Sequence, residues 1–260
     1  MPSNSWDGLA SAYEDLSVRE DSLDTLMDWP AQRRAVGDVA GKTILDLGCG
    51  SGRKAFHFAT SGAKKVVGID ISEAFLAPWD SREKPQGLSF FRGDLSSLEK
   101  IEAIAKERFD IVTCFQSIGY SHNLNKTVGF IRAHIVGGGR FILTTAHPLR
   151  FAVELFESRG TPYGDAYRDE TEYTYPSSWD RAILISHSKP MISTYVNIVL
   201  ANGFRLDSMD EPDLSKEQKA EFPHKAKWVS KYVGTIVYRF TAVKPSPRIL
   251  AVSGSEVPAA

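Results

Sequence analysis

The sequence has few cysteines and no long apolar run. Cys49 and Cys114 are its two cysteines, which is too few for a disulfide framework or a cysteine-based metal cluster. No apolar run approaches the roughly 18 residues that a membrane span needs. The N-terminus, MPSNSWDGLASAYEDL, has neither the basic nor the apolar region of a signal peptide. These absences favour a soluble cytoplasmic protein with no membrane partner.

An excess of charge of either sign is also missing. The 260 residues include 31 Lys and Arg against 32 Asp and Glu, for a net charge of −1. Nucleic-acid-binding surfaces are usually basic, so this balance favours a small-molecule partner and predicts no nucleic acid partner. We find no compact cluster of acids that would predict a metal site. The length suits one large domain, or one domain with an insertion.

Apolar, strand-like segments alternate with helical patterns through the first 145 residues. This alternation is typical of an α/β fold with a doubly wound, parallel sheet. Helices are predicted over 22–39, over 96–107 and over 191–202, and a hairpin is predicted around residues 176–178. Two last strands are predicted over 204–209 and 234–243. The first five strands are predicted over 43–47, 65–69, 88–92, 110–114 and 141–145.

The most informative segment is ILDLGCGSGR, residues 44–53. An apolar strand ends here and opens into a turn with glycine at positions 48, 50 and 52, before a helical pattern begins. Glycine lets the chain adopt positive φ and lets a ligand approach the backbone closely. Nucleotide-like ligands bind at such strand-to-helix turns in open α/β sheets. A plain glycine turn is the alternative.

This segment resembles motif I of the class I S-adenosylmethionine-dependent methyltransferases. The dinucleotide-binding fingerprint G-x-G-x-x-G is the nearest competitor, but Arg53 stands where it requires a third small residue. The resemblance implies a seven-stranded, mostly parallel sheet, with S-adenosyl-L-methionine as cofactor and S-adenosyl-L-homocysteine as product. The cofactor contacts that it implies in this turn are Asp46, Gly48, Cys49 and Gly50.

Three later segments match further motifs of the same family in order. VVGIDIS (66–72) resembles motif II, FFRGDL (90–95) resembles motif III, and FDIVTCFQSIGY (109–120) resembles motif IV. The resemblance implies that Asp70 accepts hydrogen bonds from the ribose hydroxyls and that Asp94 bonds the adenine amino group. A helix N-cap is the alternative role for each acid. The other implied contacts are Ile71, Leu95, Phe115 and Gln116.

The N-terminal segment resembles the Y-D-x-x-A-x-x-Y-D helix with which many small-molecule members begin. Trp6 replaces the first tyrosine, and Tyr13 would cap the active site from a lid. The alternative places Tyr13 in the apolar stripe of the helix. The predicted organisation is a lid over 1–40, a cofactor-binding core over 41–148, a substrate cover over 149–189, the rest of the sheet over 190–244, and a disordered tail over 245–260.

Histidines near the expected ligand-binding edge are the candidate bases, because histidine titrates near neutral pH. We place His147 first, His187 second and His122 third; a structural role is the alternative for each. Aromatic residues crowd positions 163–179, which favours a pocket for an aromatic acceptor over the surface of a homo-oligomer. The predicted acceptor contacts are Tyr120, His122, Tyr175 and Trp179.

The predicted function is therefore methyl transfer to an O, N or C atom of a small aromatic or heterocyclic metabolite, as in secondary metabolism. A carbon acceptor on an electron-rich ring would need little base. Two alternatives stay open. One is a protein of the same fold that binds the cofactor without transferring a methyl group. The other is a nucleic-acid methyltransferase, which we rank lower because no basic face or appended module is visible.

Overall fold

A seven-stranded sheet forms the centre of the molecule in a computed structural model that describes residues 5–244. Its strand order is β3-β2-β1-β4-β5-β9-β8, and only the pairs that involve β9 are antiparallel. The predicted α/β fold is confirmed. The predicted tail over 245–260 and the first four residues of the predicted lid lie outside the described residues. The sheet strands are β1 Thr43–Leu47, β2 Lys65–Asp70, β3 Leu88–Arg92, β4 Phe109–Phe115, β5 Ile135–Ala146, β8 Phe204–Asp210 and β9 Thr235–Ala242.

Both faces of the sheet are buried because its central strands are apolar at successive positions. In β1, Leu45 and Leu47 pack into the core on one face, whereas Ile44 packs into the core on the other. The first core includes residues of α5 (Leu124–His134) and α8 (Ile192–Ala201). The second includes residues of two helices that precede and follow β1, α2 (Trp29–Val36) and α3 (Arg53–Thr60).

The N-terminal region contains α1 (Ser5–Ser17) and then a π-helical turn, Asp24–Asp28, that leads directly into α2. The predicted single helix over 22–39 is thus divided, and it ends at Gly37, whose φ is +68°. A short helix, α4 (Glu73–Leu76), follows β2.

The prediction of an α-helix over 96–107 is wrong. The segment forms two 3₁₀ turns, Leu95–Lys100 and Glu102–Ile104, with a break at Ser97. Its buried side chains, Leu98, Ile101 and Ile104, recur every three residues. That spacing matches the three residues per turn of a 3₁₀ helix rather than the 3.6 of an α-helix.

The region between β5 and α8 forms a cover beside the sheet. It contains α6 (Pro148–Arg159), α7 (Tyr163–Arg168) and a separate hairpin of β6 (Glu172–Pro176) and β7 (Leu184–Ser188). The predicted hairpin is present, and Pro176 pairs with Leu184 at its closed end. The sequence patterns did not predict α6 and α7, nor the helices α9 (Lys216–Glu221) and α10 (Pro223–Lys231) between β8 and β9.

None of the helices within residues 5–244 combines the length and apolarity that crossing a bilayer would require.

A matched pair of substitutions in β7 tests whether the hairpin is packed against the rest of the chain. Successive side chains of a strand face opposite sides; accordingly Ile185 is 2% exposed and Leu184 is 56% exposed. We expect Ile185→Ala to lower the free energy of unfolding by about 2 kcal/mol or more, as is usual for a buried isoleucine. Leu184→Ala should change it by less than about 0.5 kcal/mol. Urea denaturation of both variants measures this, and equal effects would contradict the packing.

Candidate active site

A cavity of about 820 Å³ lies at the carboxyl ends of β1, β2, β4 and β5, between α1 and the cover. This edge is where ligands bind in doubly wound sheets. The cavity is in the upper part of the size range of small-molecule sites. Every residue predicted to contact the cofactor lines it: Asp46, Gly48, Cys49, Gly50, Asp70, Ile71, Asp94, Leu95, Phe115 and Gln116.

The glycine turn is held against the end of β2. The amides of Gly48 and Cys49 both donate to the carbonyl of Ile69, at 2.7 and 3.0 Å. Gly48 and Gly50 have φ of +69° and +56°. A Cβ on Gly48 would stand 2.2 Å from Cβ of Ser117, whereas a Cβ on Gly50 would meet no atom within 4 Å. Gly48 is therefore required by packing, while Gly50 leaves open space on the cavity side.

Asp70 connects the two strands at this edge. Its Oδ2 accepts a hydrogen bond from the amide of Gly50 at 2.7 Å, and its Oδ1 accepts one from the amide of Ser72 at 2.9 Å. Burial raises the pKa of the Asp70 carboxyl, while these amides act in the opposite direction. Ser72, not Asp70, caps α4. Each Asp70 oxygen keeps further acceptor capacity.

Asp94 caps the 3₁₀ turn that follows β3, because its Oδ1 accepts a hydrogen bond from the amide of Ser96 at 2.8 Å. The alternative role weighed for this residue is thus present. Asp94 and the neighbouring Leu95 nevertheless line the cavity. A carboxylate can accept several hydrogen bonds, so the cap and a ligand contact are compatible.

Asp46 is buried beneath the glycine turn. Thr113 donates a hydrogen bond to its Oδ1 at 2.7 Å. Burial raises the pKa of Asp46 to about 6, and the nearby Lys54 opposes this shift. Asp46 lies at the cavity wall, and its pKa is close to neutral pH.

Sequence reasoning missed a group of ion pairs that joins α3 to the π-helical turn. The carboxylate of Asp24 accepts hydrogen bonds from Arg53 Nη2 and from Lys54 Nζ, each at 2.7 Å. Lys54 Nζ also donates to Gln32 Oε1 at 2.7 Å. No local pattern indicates these pairs, because Asp24 and Lys54 are 30 positions apart in the sequence.

The N-terminal helix is anchored over the cofactor edge. Asp7 Oδ1 accepts hydrogen bonds from the Ser72 hydroxyl at 2.7 Å and from the Ala74 amide at 3.2 Å. On the same helix, the rings of Trp6 and Tyr13 lie 5.6 and 5.0 Å from the ring of Trp179. Helix α1 and the cover therefore meet above the cavity.

Of the predicted acceptor and catalytic residues, Tyr13, Tyr120, Tyr175, Trp179 and His187 line the cavity. His187 Nδ1 bonds the carbonyl of Ser188 at 2.8 Å, and Nε2 lies 3.3 Å from the Tyr175 hydroxyl. Burial lowers the pKa of His187, which favours the neutral ring. Because a neutral ring carries one N–H, Nδ1 donates to the carbonyl and Nε2 accepts from Tyr175.

The first-ranked base, His147, has a structural position. Its Nδ1 accepts a hydrogen bond from the Leu149 amide at 3.1 Å, so it is the N-cap of α6, and its Nε2 bonds Glu211 Oε1 at 2.9 Å. His122 is exposed and follows the 3₁₀ turn after β4. Neither histidine is among the cavity-lining residues in the described part of the chain. Both predictions are corrected: these two side chains do not face the acceptor space.

Residues 38–202 match the methyltransferase domain family. This chain belongs to the class I S-adenosylmethionine-dependent methyltransferases. The cofactor of the family is S-adenosylmethionine, which supplies a methyl group already activated on a sulfonium. The residues present fit such a group, because Gly50 leaves open space at the turn and acidic and apolar side chains from four strand ends line one cavity.

Individual relatives differ in function. An uncharacterised protein from Haemophilus influenzae is 25% identical over 222 residues, 81% of this chain and 86% of that protein. A ubiquinone biosynthesis O-methyltransferase from Aromatoleum aromaticum is 32% identical over 53% of this chain and 56% of its own length. A tRNA U34 carboxymethyltransferase from Klebsiella pneumoniae is 29% identical over 58% of this chain and 44% of its own. The chain thus spans about half the length of these two named relatives.

The solved structures agree on the fold. A S-adenosylmethionine-dependent methyltransferase from Mesorhizobium loti has a TM-score of 0.67 at 22% identity, over 82% of this chain and 97% of that one. The [4+2]-cyclase SpnF has a TM-score of 0.54 at 18% identity, over 83% of this chain and 80% of that one. At such identities the likeness describes architecture alone.

No three His, Cys, Asp or Glu side chains of residues 5–244 are gathered in a way that could hold a metal ion.

Alanine at the two glycines of the turn should separate packing from ligand access. Both positions have positive φ, so alanine costs about 1–2 kcal/mol at each. Gly48→Ala also meets Ser117, and such overpacking adds about 1–3 kcal/mol. We therefore expect Gly48→Ala to be the less stable variant in urea denaturation. Gly50→Ala should weaken binding of S-adenosylhomocysteine while keeping most of the stability. The reverse order of stability would contradict the geometry.

Proposed function

We propose that this chain transfers a methyl group from S-adenosylmethionine to an oxygen or nitrogen of a small aromatic or heterocyclic metabolite. The observation that carries this proposal is an aromatic enclosure at the cavity. The rings of Trp6, Tyr13 and Trp179 contact one another, and Tyr120 lies 5.5 Å from Trp6. Offset and edge contacts of this kind also favour a flat, apolar ligand. A carbon acceptor stays within the same proposal.

The cofactor roles follow from the positions around the glycine turn. Asp70 would accept hydrogen bonds from the ribose hydroxyls with the lone pairs that Gly50 and Ser72 leave unused. Asp94 and the Leu95 amide would bind the adenine. Phe115 and Gln116 would lie against the methionine part, beside the turn formed by Asp46, Gly48, Cys49 and Gly50, with Ile71 next to the ribose. A charged carboxylate that accepts from neutral hydroxyls is a strong hydrogen-bond partner.

The protein's main contribution would be positioning and exclusion of water, because the methyl group is already activated. Tyr13 and Trp179, whose rings lie 5.0 Å apart, would together close the acceptor space. The Tyr175–His187 pair would orient the acceptor at the wall of the cover.

Nucleic acid is the second candidate acceptor, because the chain resembles a tRNA U34 carboxymethyltransferase. The cavity mouth includes Arg19, His224 and Lys225, but Asp21 lies 3.6 and 3.9 Å from the last two. The net charge of −1 also favours a small acceptor. We therefore rank this function second.

Removal of the Asp70 carboxylate tests the cofactor assignment. We expect Asp70→Ala to weaken S-adenosylhomocysteine binding by roughly 1.5–3 kcal/mol, because a charged hydrogen-bond partner is lost. Isothermal titration calorimetry measures the affinity. The control is Asp80→Asn, since Asp80 is exposed on the surface. Unchanged affinity in Asp70→Ala would remove Asp70 from the ribose site.

Transfer of a labelled methyl group tests the function itself. We expect the protein to transfer label from S-adenosylmethionine to phenolic or heteroaromatic compounds of a metabolite panel, and not to bulk tRNA. Trp179→Ala should raise the KM for such an acceptor by about tenfold, the scale of a lost aromatic contact with its buried area. Its affinity for S-adenosylhomocysteine should stay within twofold. If the protein binds the cofactor but transfers the label only to tRNA, the result would favour the second candidate function, methylation of nucleic acid.

A further inference from the structure

A group of polar side chains lines the cavity outside the four cofactor motifs. Asp28 ends the π-helical turn, and Thr235 begins β9 and faces the Asp28 carboxyl. Gln116, which follows β4, donates a hydrogen bond from Nε2 to Thr235 Oγ1 at 3.2 Å. Three separate elements thus bring polar atoms to one wall.

One atom of this wall is buried without a partner. Oδ1 of Asp28 has no hydrogen-bond partner within residues 5–244. Burying such an atom unpaired costs about 1–3 kcal/mol, and native structures rarely contain one without a reason. Asp28 lines the cavity, so a bound molecule can satisfy this oxygen. A molecule that pairs with the Asp28 carboxylate must donate an O–H or N–H.

The backbone around this wall is also unusual. Gln116 has φ of +55°, unlike every other non-glycine residue in the described part of the chain. Asp28 belongs to a π-helical turn, and such turns are frequent at functional sites. Residues kept in sparsely populated conformations cost about 1–3 kcal/mol and cluster at ligand-binding sites. These two features independently mark the same wall.

Asp28 differs from the nearby Asp24 in its ion pairs. Asp24, four residues earlier, is paired with both Arg53 and Lys54. No ion pair to Asp28 is formed by the residues that the structure describes. The charged groups that face Asp28 at longer range are Asp24, Lys54 and Arg150.

We propose that Asp28, with Thr235 beside it, forms the subsite that receives the O–H or N–H of the methyl acceptor, and that the Asp28 carboxylate takes the acceptor's proton. This proposal rests on the proposed function and names the chemistry of its acceptor. The acceptor oxygen or nitrogen bonds to the methyl carbon as the carbon–sulfur bond breaks, with both of that bond's electrons going to sulfur. The acceptor's proton moves to Asp28, which becomes a neutral carboxylic acid and later releases the proton to water.

The electrostatics of Asp28 suit this task. Burial and the neighbouring Asp24 raise its pKa to about 7, while Lys54, Thr235 and Arg150 oppose the rise. A base works best with a pKa near the working pH. His187, the predicted base that lines the cavity, already uses both ring nitrogens, with Ser188 and Tyr175. Asp28 therefore has the freer acceptor atom.

The test uses two small probes that differ by one donor. Phenol carries an O–H, and anisole carries a methyl ether in its place, as a methylated product would. We expect the wild-type protein saturated with S-adenosylhomocysteine to bind phenol at least fivefold more tightly than anisole, measured by NMR titration. The preference should fall below twofold in Asp28→Asn, and it should fall in Thr235→Val, which keeps the side-chain shape. It should persist in Asp80→Asn.

A second readout reports the proton directly. With ¹³Cγ-labelled aspartate, one resonance of the wild-type protein should titrate near pH 7 and should be missing in Asp28→Asn. Affinity for S-adenosylhomocysteine should stay within twofold in that variant. A loss of tenfold or more would overturn the proposal, because Asp28 would then belong to the cofactor's amino-acid end. Equal binding of phenol and anisole to the wild type, or a titration below pH 5, would also overturn it.

These outcomes separate the two levels of the proposal. If the wild-type protein fails to bind S-adenosylhomocysteine, the proposed function itself fails. If it binds S-adenosylhomocysteine but shows no preference for phenol, only the assignment of Asp28 fails. Should Asp28→Asn not fold, the wild-type preference and its loss in Thr235→Val decide the matter.

Discussion

The buried carboxylate of Asp70 is the interaction on which this edge of the sheet depends. It accepts hydrogen bonds from the amides of Gly50 and Ser72, so it joins the turn after β1 to the turn after β2. Two neighbouring strands thereby share one acceptor, and these hydrogen bonds fix the conformation of the glycine turn. Preorganisation of this kind lowers the entropy that a ligand must lose on binding.

The same connection extends to the acceptor side of the cavity. Ser72, held by Asp70, donates its hydroxyl to Asp7, and Asp7 anchors α1. Helix α1 then presents Trp6 and Tyr13 to Trp179 of the cover. A ligand that orders the Asp70 edge therefore also favours the docked position of α1. The cofactor edge and the aromatic enclosure are linked by two hydrogen bonds and a ring cluster.

The sequence predicted the parts of the fold that depend on local pattern. Apolar runs located the central strands, and the spacing of glycines located the cofactor turn. The 3₁₀ segment does not follow an α-helical pattern, because its buried residues Leu98, Ile101 and Ile104 repeat every three residues. The error at His147 was also avoidable. Proline at the first helical position, here Pro148, is a signal that the preceding residue is an N-cap.

Asp28 could not be found in this way, because its role depends on long-range packing. Its carboxyl meets Thr235, which lies more than 200 positions along the chain, and no local motif records such a contact. Burial raises the pKa values of Asp28 and Asp46 to about 7 and about 6. The native state then binds more protons than the unfolded chain between about pH 4 and these values, so stability falls as pH rises through that window. A fold that keeps two such carboxyls at one cavity loses stability at neutral pH, and ligand groups that donate hydrogen bonds there can restore it.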